Sequence, residues 1–131
     1  AIRRQRQMCI RDRMTILVAE DYQSNYDLIE AMIGKIYKLV HAHDGMEAII
    51  FYEQYKPDLI LMDIKMPNIN GLDATRAIRE MSASVPVIAV SAYAYEKDKI
   101  AAIESGCNDF LTKPVSADLL KMTINKYLKQ K

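Results

Sequence analysis

The sequence predicts an α/β domain in which helices cover both faces of a doubly wound, five-stranded parallel sheet. Short apolar segments rich in β-branched residues alternate with segments of helical periodicity from Met14 onward, and this alternation is typical of βαβ units. The apolar segments are nearly continuous, as is usual for strands that are covered on both faces. Right-handed crossovers between such strands favour the doubly wound arrangement.

Five segments are predicted as strands, and a helix is predicted after each of them. The strands span residues 15–19, 37–41, 59–62, 85–90 and 110–112. At this chain length we expect the strand order 2-1-3-4-5, which is the flavodoxin-like order. Gly106 suits the C-cap of the fourth helix, and Ser116 suits the N-cap of the fifth.

The helices are predicted from apolar residues that recur at spacings of three and four, so that each helix has one apolar face. The residues predicted for these faces are Leu28, Ile29, Met32, Ile33 and Ile36; Ala48, Ile49 and Tyr52; Ala74, Ile78 and Met81; Ile100 and Ile103; and Leu119, Leu120, Thr123, Ile124, Tyr127 and Leu128.

Charge is distributed unevenly along the 131 residues. Residues 1–13 hold five arginines and one aspartate, and removing them from 18 basic and 17 acidic residues leaves 13 and 16. A mildly acidic body argues against direct nucleic-acid binding. We expect residues 14–131 to be the folded domain and residues 1–13 to be a non-native or linker arm.

Two features bear on the location of the protein. No apolar run in the sequence is long enough to cross a bilayer, so we expect no membrane insertion of this domain. Cys9 and Cys107 are too few for a disulfide framework, which favours a reducing cytoplasm.

Chemically active side chains follow the carboxyl ends of four predicted strands. Glu20 and Asp21 follow the first strand, Asp63 the third, Ser91 the fourth and Lys113 the fifth. In a parallel sheet these ends lie along one edge, where ligands bind. The sequence therefore predicts a cleft that holds three carboxylates, one hydroxyl and one ammonium group.

The charge of this cleft predicts a bound cation. Three carboxylates and one lysine leave a net charge of about −2, and like charges at close range raise one another's pKa values. Oxygen ligands favour Mg²⁺; zinc is disfavoured because His41 and His43 are placed on the second strand, away from this edge. A carboxylate beside Mg²⁺ and a lysine can attack phosphorus and form an acyl phosphate.

The segments that carry these residues resemble the signatures of response-regulator receiver domains of two-component systems. They are residues 16–21 (ILVAED), 61–67 (LMDIKMP) with Gly71 beyond, Ser91-Ala92 and 111–114 (LTKP). The resemblance covers residues 15–128 and is strongest to the receivers of hybrid sensor histidine kinases. In two small departures, Glu20 replaces a more usual Asp, and Asn70 stands where an Asp often precedes the glycine.

The resemblance implies a role for each residue of the cleft. Asp63 matches the phosphoacceptor, while Glu20 and Asp21 match the acidic pair that holds Mg²⁺ together with the backbone carbonyl of Lys65. Ser91 matches the hydroxyl residue that reports phosphorylation.

Residues around the cleft match further positions of the family. Lys113 matches its lysine, in a cis bond to Pro114, and Phe110 matches the aromatic switch of the fifth strand. Lys65 and Tyr93 lie two residues after the acceptor and after the hydroxyl residue, at positions that set the lifetime of the acyl phosphate.

The function implied is that of a phosphoacceptor in a phosphorelay rather than of an enzyme. The phosphoryl group would come from a phosphohistidine on a histidine kinase or a phosphotransfer protein. Phosphorylation would then change a protein-binding surface formed by the fourth helix, the fifth strand and the fifth helix. The domain would act in the cytoplasm, either alone or as part of a membrane-bound hybrid kinase.

Three other classes stay open at this point. A phosphatase of the haloacid dehalogenase type also forms an aspartyl phosphate, but it has a second Asp two residues after the nucleophile, where this chain has Lys65. A flavin-binding module would open its first strand onto a Ser/Thr/Gly loop rather than Glu20-Asp21. A degenerate receiver would signal without phosphate, although all five site residues are present here.

Overall fold

The computed structural model describes residues 13–93 and 95–128, which form five strands and five helices in strict alternation. In chain order these are β1 (Thr15–Ala19), α1 (Gln23–Ile33), β2 (Lys38–Ala42), α2 (Gly45–Tyr55), β3 (Leu59–Asp63), α3 (Gly71–Met81), β4 (Val87–Ser91), α4 (Glu96–Ser105), β5 (Asp109–Thr112) and α5 (Ala117–Tyr127). Cys9 and all of the proposed arm except Arg13 lie outside the described residues.

The strands form one parallel sheet in the order β2-β1-β3-β4-β5, which confirms the predicted topology. Ala19 at the end of β1 is level with Ala42 on β2 and with Met62 on β3. Asp63 pairs with Val90 on β4. The strands therefore end close to a common line, and the residues at and beyond these ends lie along one edge of the sheet.

The core has two layers, one on each face of the sheet. Alternate residues of β1 point to opposite faces, with Leu17 in the layer under α2 and α3 and Ile16 in the layer under α1 and α5. Every residue of β3 and β4 is buried, as the continuous apolar segments predicted. Burying one such side chain contributes about 1.5–3 kcal/mol, so the central strands hold the cleft on a rigid base.

Caps define where several helices begin and end. The side chains of Asp44, Asn70 and Ser116 accept hydrogen bonds from backbone amides three residues later, at the starts of α2, α3 and α5. Gly106 ends α4 with φ 116°, in the left-handed region that glycine tolerates best. The predicted caps at Ser116 and Gly106 are thus confirmed.

The predicted apolar faces of the helices are partly wrong. α1 is buried through Tyr26, Ile29 and Ile33, whereas α4 is buried through Ala102 and Ser105. Residues that were predicted to pack inward but are 41–53% exposed include Leu28, Ile36, Met81, Ile100, Ile103 and Leu119. A helix on a sheet buries a narrow stripe, and each residue turns about 100° from the one before, so neighbouring apolar residues cannot all face the sheet. Among the described helices, none is long and apolar enough to cross a membrane.

Candidate functional site

Three carboxylates converge at the carboxyl ends of β1 and β3. Ligand oxygens of Glu20, Asp21 and Asp63 all lie within 4.8 Å of one another. Asp63 is the last residue of β3, and Glu20 and Asp21 follow β1 directly. Glu20 and Asp63 are only 2% and 4% exposed, so water screens their charges poorly. The structure therefore brings together the acidic residues that the sequence singled out.

Lys113 links two of these carboxylates. Its Nζ lies 3.0 Å from Glu20 Oε1 and 3.2 Å from Asp63 Oδ2. Its backbone amide donates to the Ser91 carbonyl at 2.8 Å, which fixes the start of the loop after β5. The Lys113–Pro114 bond is cis, as the resemblance implied.

Burial and charge act strongly on the protonation of Asp63. Burial in the cleft and the neighbouring charge of Glu20 raise the pKa of Asp63 to about 7, although Lys113 opposes this rise. Burial alone would lower the pKa of Lys113, but the hydrogen bond to Glu20 and the charge of Asp63 outweigh it, and the pKa is raised. The lysine is thus charged at neutral pH, while the metal-free Asp63 is only partly ionised.

The acidic cluster fits a divalent cation. Within the described part of the chain, Asp21 Oδ1 is buried and has no hydrogen-bond partner, and a buried polar atom in this condition is costly. A hard cation with oxygen ligands would satisfy this atom and offset the negative charge of the cluster. Mg²⁺ matches this donor set of carboxylates.

Both oxygens of Glu20 also have protein partners. Oε1 faces Lys113, while Oε2 accepts from the Tyr22 amide at 3.3 Å and from Asn25 Nδ2 at 3.4 Å. Asn25, in the first turn of α1, thus belongs to the site although it was not predicted. The sequence could have indicated Asn25 as a site residue, because it lies four residues after Asp21 on a helix that starts beside the acidic pair.

A cavity of about 330 Å³ opens above Asp63. Lys65, Tyr93 and Lys113 line it together with Asp63. Lys65 Nζ lies 5.3 Å from the centre of the Tyr93 ring, within the range of a cation–π contact. The cavity has room for a transferring phosphoryl group, and the two residues predicted to affect its lifetime stand at its edge.

The predicted hydroxyl and aromatic residues occupy neighbouring strands. Ser91 is 2% exposed, and its Oγ accepts a hydrogen bond from the Tyr93 amide at 3.1 Å. Phe110 pairs with Ala89 of β4 and is partly buried against the layer under α2 and α3. Ser91 therefore lies at the carboxyl end of β4, and Phe110 lies on β5 two residues before Thr112, the partner of Ser91.

The reason given for excluding zinc is wrong in one respect. His41 is not remote from this edge, because its Nε2 lies 2.8 Å from the carbonyl oxygen of Glu20. Parallel pairing places the end of β2 level with the end of β1, and this register would have predicted that His41 lies near the cleft. Among the described residues, the candidate metal cluster nevertheless consists of Glu20, Asp21 and Asp63.

Comparison with known proteins identifies the family. The family model of the response regulator receiver domain matches residues 16–125. The chain belongs to this family. As a receiver domain it is a component of two-component signal transduction, and its fold and acidic cleft agree with that assignment.

Curated relatives place receiver domains like this one in two kinds of protein. The chain is 42% identical over 129 residues to hybrid signal transduction histidine kinase I of Dictyostelium discoideum, with 88% of the chain and 7% of that protein covered. It is 36% identical to the sensor histidine kinase RcsC of Escherichia coli, at 88% and 12% coverage. It is also 32% identical to the response regulator DivK of Brucella anthropi, at 87% and 95% coverage. The chain thus spans a small part of the kinases but nearly all of DivK.

Solved structures of receiver domains share the fold. The receiver domain of sensor histidine kinase PA1611 from Pseudomonas aeruginosa, which has a magnesium ion in its active-site cleft, is 34% identical with a TM-score of 0.82, covering 88% of this chain and 97% of that one. The Saccharomyces cerevisiae receiver domain of Ssk1, solved with the histidine phosphotransfer protein Ypd1, is 28% identical with a TM-score of 0.82, covering 88% of each chain.

Proposed function

We propose that this receiver domain accepts a phosphoryl group on Asp63 from a phosphohistidine and thereby switches a protein-binding surface. The observation that carries the proposal is the position of Asp63, buried at a strand end, in contact with Lys113 and open to a cavity of about 330 Å³. An oxygen of Asp63 would bond to phosphorus while the bond from phosphorus to the histidine nitrogen breaks. The second-Asp position of a haloacid dehalogenase is Lys65, which argues against phosphatase activity.

Mg²⁺ is the proposed cofactor of the transfer. Glu20, Asp21, Asp63 and the backbone carbonyl of Lys65 are its proposed protein ligands. Asp21 Oδ1, for which residues 13–93 and 95–128 offer no hydrogen-bond partner, supports this assignment. The metal would supply positive charge to the oxygens of the transferring group. The ammonium group of Lys113 would bind another of these oxygens once Asp63 is modified.

A direct test is phosphorylation by a small phosphodonor such as acetyl phosphate in the presence of Mg²⁺. The parent should gain the mass of one phosphoryl group, and Asp63→Asn should gain none. Asp27→Asn, which removes an exposed carboxylate of α1, is the matched control and should label like the parent. Labelling that persists in Asp63→Asn would disprove the assignment, and chelation of the metal should suppress labelling of the parent.

The proposed donor is a histidine kinase or a histidine phosphotransfer protein. Ypd1 bound to Ssk1 is such a partner of a related receiver domain. Here an apolar groove of about 280 Å³ lies beside the cleft, lined by Leu28, Met32, Pro114 and Val115. We assign this groove to the helix that carries the phosphohistidine, because a donor histidine must approach Asp63 from the same edge of the sheet.

The groove can be tested separately from the chemistry. Leu28 is 49% exposed, so Leu28→Glu should fold normally and should accept phosphate from acetyl phosphate at the parental rate. Transfer from a phosphorylated histidine donor should fall by about tenfold, or about 1.4 kcal/mol of barrier. Equal transfer by parent and variant would show that the donor docks elsewhere.

The proposed output surface is the face formed by α4, β5 and α5. Phosphate at Asp63 would draw the Ser91 hydroxyl away from the Tyr93 amide, and Phe110 would respond on the adjacent strand. Ile100 and Ile103 on α4 are about half exposed, which provides an apolar surface for a downstream protein. Amide shifts on phosphorylation should concentrate in residues 91–116, whereas shifts confined to the cleft would indicate a passive phosphate store.

Lys65 and Tyr93 are the proposed determinants of acyl-phosphate lifetime. Water must attack in line with the bond to Asp63, and both side chains stand at the edge of the cavity. Neither is a carboxylate or an amide that would orient water. We therefore expect the acyl phosphate to hydrolyse one to two orders of magnitude more slowly than in a receiver domain with a small residue, a carboxylate or an amide at these positions, which corresponds to about 1.4–2.8 kcal/mol of activation barrier. Lys65→Asn and Tyr93→Ala should each speed decay; unchanged decay in both would refute shielding.

A further inference from the structure

A stack of three rings lies behind the acidic pair, on the side of β2. The ring of His41 on β2 is stacked on Tyr26 of α1, with ring centres 3.8 Å apart and an interplanar angle of 1°. On its other side is the ring of His43, at 4.0 Å and 33°. His41 is therefore held between two rings in one orientation.

That orientation directs His41 at the backbone of the metal site. His41 Nε2 lies 2.8 Å from the Glu20 carbonyl oxygen. A carbonyl oxygen only accepts, so Nε2 carries the hydrogen and donates it. Two hydrogen bonds to β2 thus hold the main chain directly after β1, because the Glu20 amide also donates to the Ala42 carbonyl at 2.9 Å.

The ring that supports His41 is itself anchored. His43 Nδ1 lies 3.0 Å from Glu47 Oε1, and the His43 amide donates to the same oxygen at 2.8 Å. Glu47 is in the first turn of α2, and its amide is capped by Asp44. The turn between β2 and α2 therefore fixes the stack from outside the cleft.

We propose that His41 is a positioning residue for the Mg²⁺ site, and this inference rests on the proposed function of the acidic cluster. The peptide whose oxygen His41 holds joins Glu20 to Asp21, so its orientation directs the two carboxylates. Without the donor, the carbonyl loses its partner and the peptide gains rotational freedom. Asp21 Oδ1, which has no hydrogen-bond partner among the described residues, is then less well placed to bind the metal. Loss of a group that hydrogen-bonds directly to a metal-ligating side chain typically weakens metal affinity by about 10–100-fold. His41 bonds to the backbone carbonyl of Glu20 rather than to a ligating side chain, so we expect its loss to weaken Mg²⁺ affinity by about three- to tenfold.

Substitutions at His41 separate the donor from the ring. His41→Gln removes the ring but keeps an amide nitrogen close to the position of Nε2. His41→Phe keeps the stack and removes the donor, and His41→Asn is polar but too short to reach the carbonyl. The dissociation constant for Mg²⁺ is measured from amide shifts in the full chain without any phosphodonor, and melting temperature is recorded in parallel with chelator.

The expected result is an Mg²⁺ dissociation constant raised about three- to tenfold in His41→Phe and His41→Asn and near the parental value in His41→Gln. Parental affinity in the Phe and Asn variants would overturn the inference, as would an equal loss in all three. If one donor-free variant fails to fold, the other decides the comparison. A parent that binds no Mg²⁺ would overturn the proposed metal site and, with it, this role of His41.

Discussion

Asp63→Asn tests how much the cleft destabilises the metal-free fold. The wild-type carboxyl has its pKa raised from 3.8 to about 7 by burial and by the charge of Glu20. A raised carboxyl pKa means that the folded state binds the proton more tightly than the unfolded state. Asn removes the negative charge, keeps the shape of the side chain and still accepts a hydrogen bond from Lys113.

The magnitude follows from the pKa of Asp63. A rise from 3.8 to about 7, at about 1.4 kcal/mol for each pH unit, means that ionisation destabilises the fold by about 4 kcal/mol at most. Below about pH 4 the carboxyl is protonated in both states, and stability is lost as the pH rises from there to about 7. This upper limit already includes the opposing attraction to Lys113, so we expect Asp63→Asn to gain about 2–4 kcal/mol at pH 8 and little at pH 4.

Urea unfolding in the presence of a chelator measures this difference across the pH range. The gain of Asp63→Asn should grow from about pH 4 and level off above about pH 7. Asp27→Asn, on the exposed side of α1, should show no such gain. Saturating Mg²⁺ should reverse the ranking by stabilising the parent alone. A variant that is no more stable than the parent at pH 8 would refute the electrostatic reasoning.

Other consequences of the site and fold are open to simple measurement. Mg²⁺ binding should release protons and tighten as the pH rises from about 6 to 8, because the metal requires ionised Asp63. Calorimetry at one pH in two buffers of different ionisation enthalpy measures the release, and the same binding enthalpy in both buffers would contradict it. Of the proposed arm 1–13, deleting residues 1–12 should leave melting temperature and phosphorylation unchanged; Arg13 is kept because its Nη1 donates to the carbonyls of Gly34 and Lys35 at 3.2 Å. Asp44→Ala should lower stability by about 1–2 kcal/mol in urea, since Asp44 caps α2 and accepts from Asn68 Nδ2 at 2.7 Å.

The strands and the cleft were predictable because both depend on local patterns, whereas the strand order was the one expected for a chain of this length. Continuous apolar segments identify buried strands, and a parallel sheet places their carboxyl ends together. Asp63 and Lys113 are 50 positions apart in sequence, yet their side chains meet at 3.2 Å. The expectation of a parallel sheet, in which the carboxyl ends of all strands lie along one edge, was enough to bring them into one site.

Features that depend on how elements pack were not predictable from the chain alone. Leu28 and Ile29 are adjacent and equally apolar, but only Ile29 faces the sheet. The apolar periodicity of a helix predicts a broad apolar face, but the packing of the helix on the sheet decides which residues of that face are buried. The contact of His41 with the Glu20 carbonyl depends in the same way on the register of β1 and β2 and on the Tyr26 ring behind it.

Arg79 supports the far end of the fold and makes a strong test of part-buried guanidinium contacts. At the end of α3, its Nε donates to the Gly106 carbonyl at 2.9 Å and its Nη2 to Asn108 Oδ1 at 2.7 Å. Its aliphatic chain also fills the space beside Gly106, where an added Cβ would lie 2.7 Å from Arg79 Cγ.

Arg79→Ala should therefore destabilise the protein by about 2–3 kcal/mol in urea unfolding, because hydrogen bonds of charged donors contribute about 1.5–3 kcal/mol. Arg76 on the same helix is the matched control, since it is exposed and forms an ion pair with Asp73 at 2.7 Å. Arg76→Ala should lower stability by only about 0.5 kcal/mol. Arg79→Lys keeps the charge but cannot donate in the same fork geometry, so it should recover little. Equal effects of the two alanine variants would show that the contacts between α3 and the turn before β5 contribute nothing beyond an exposed pair.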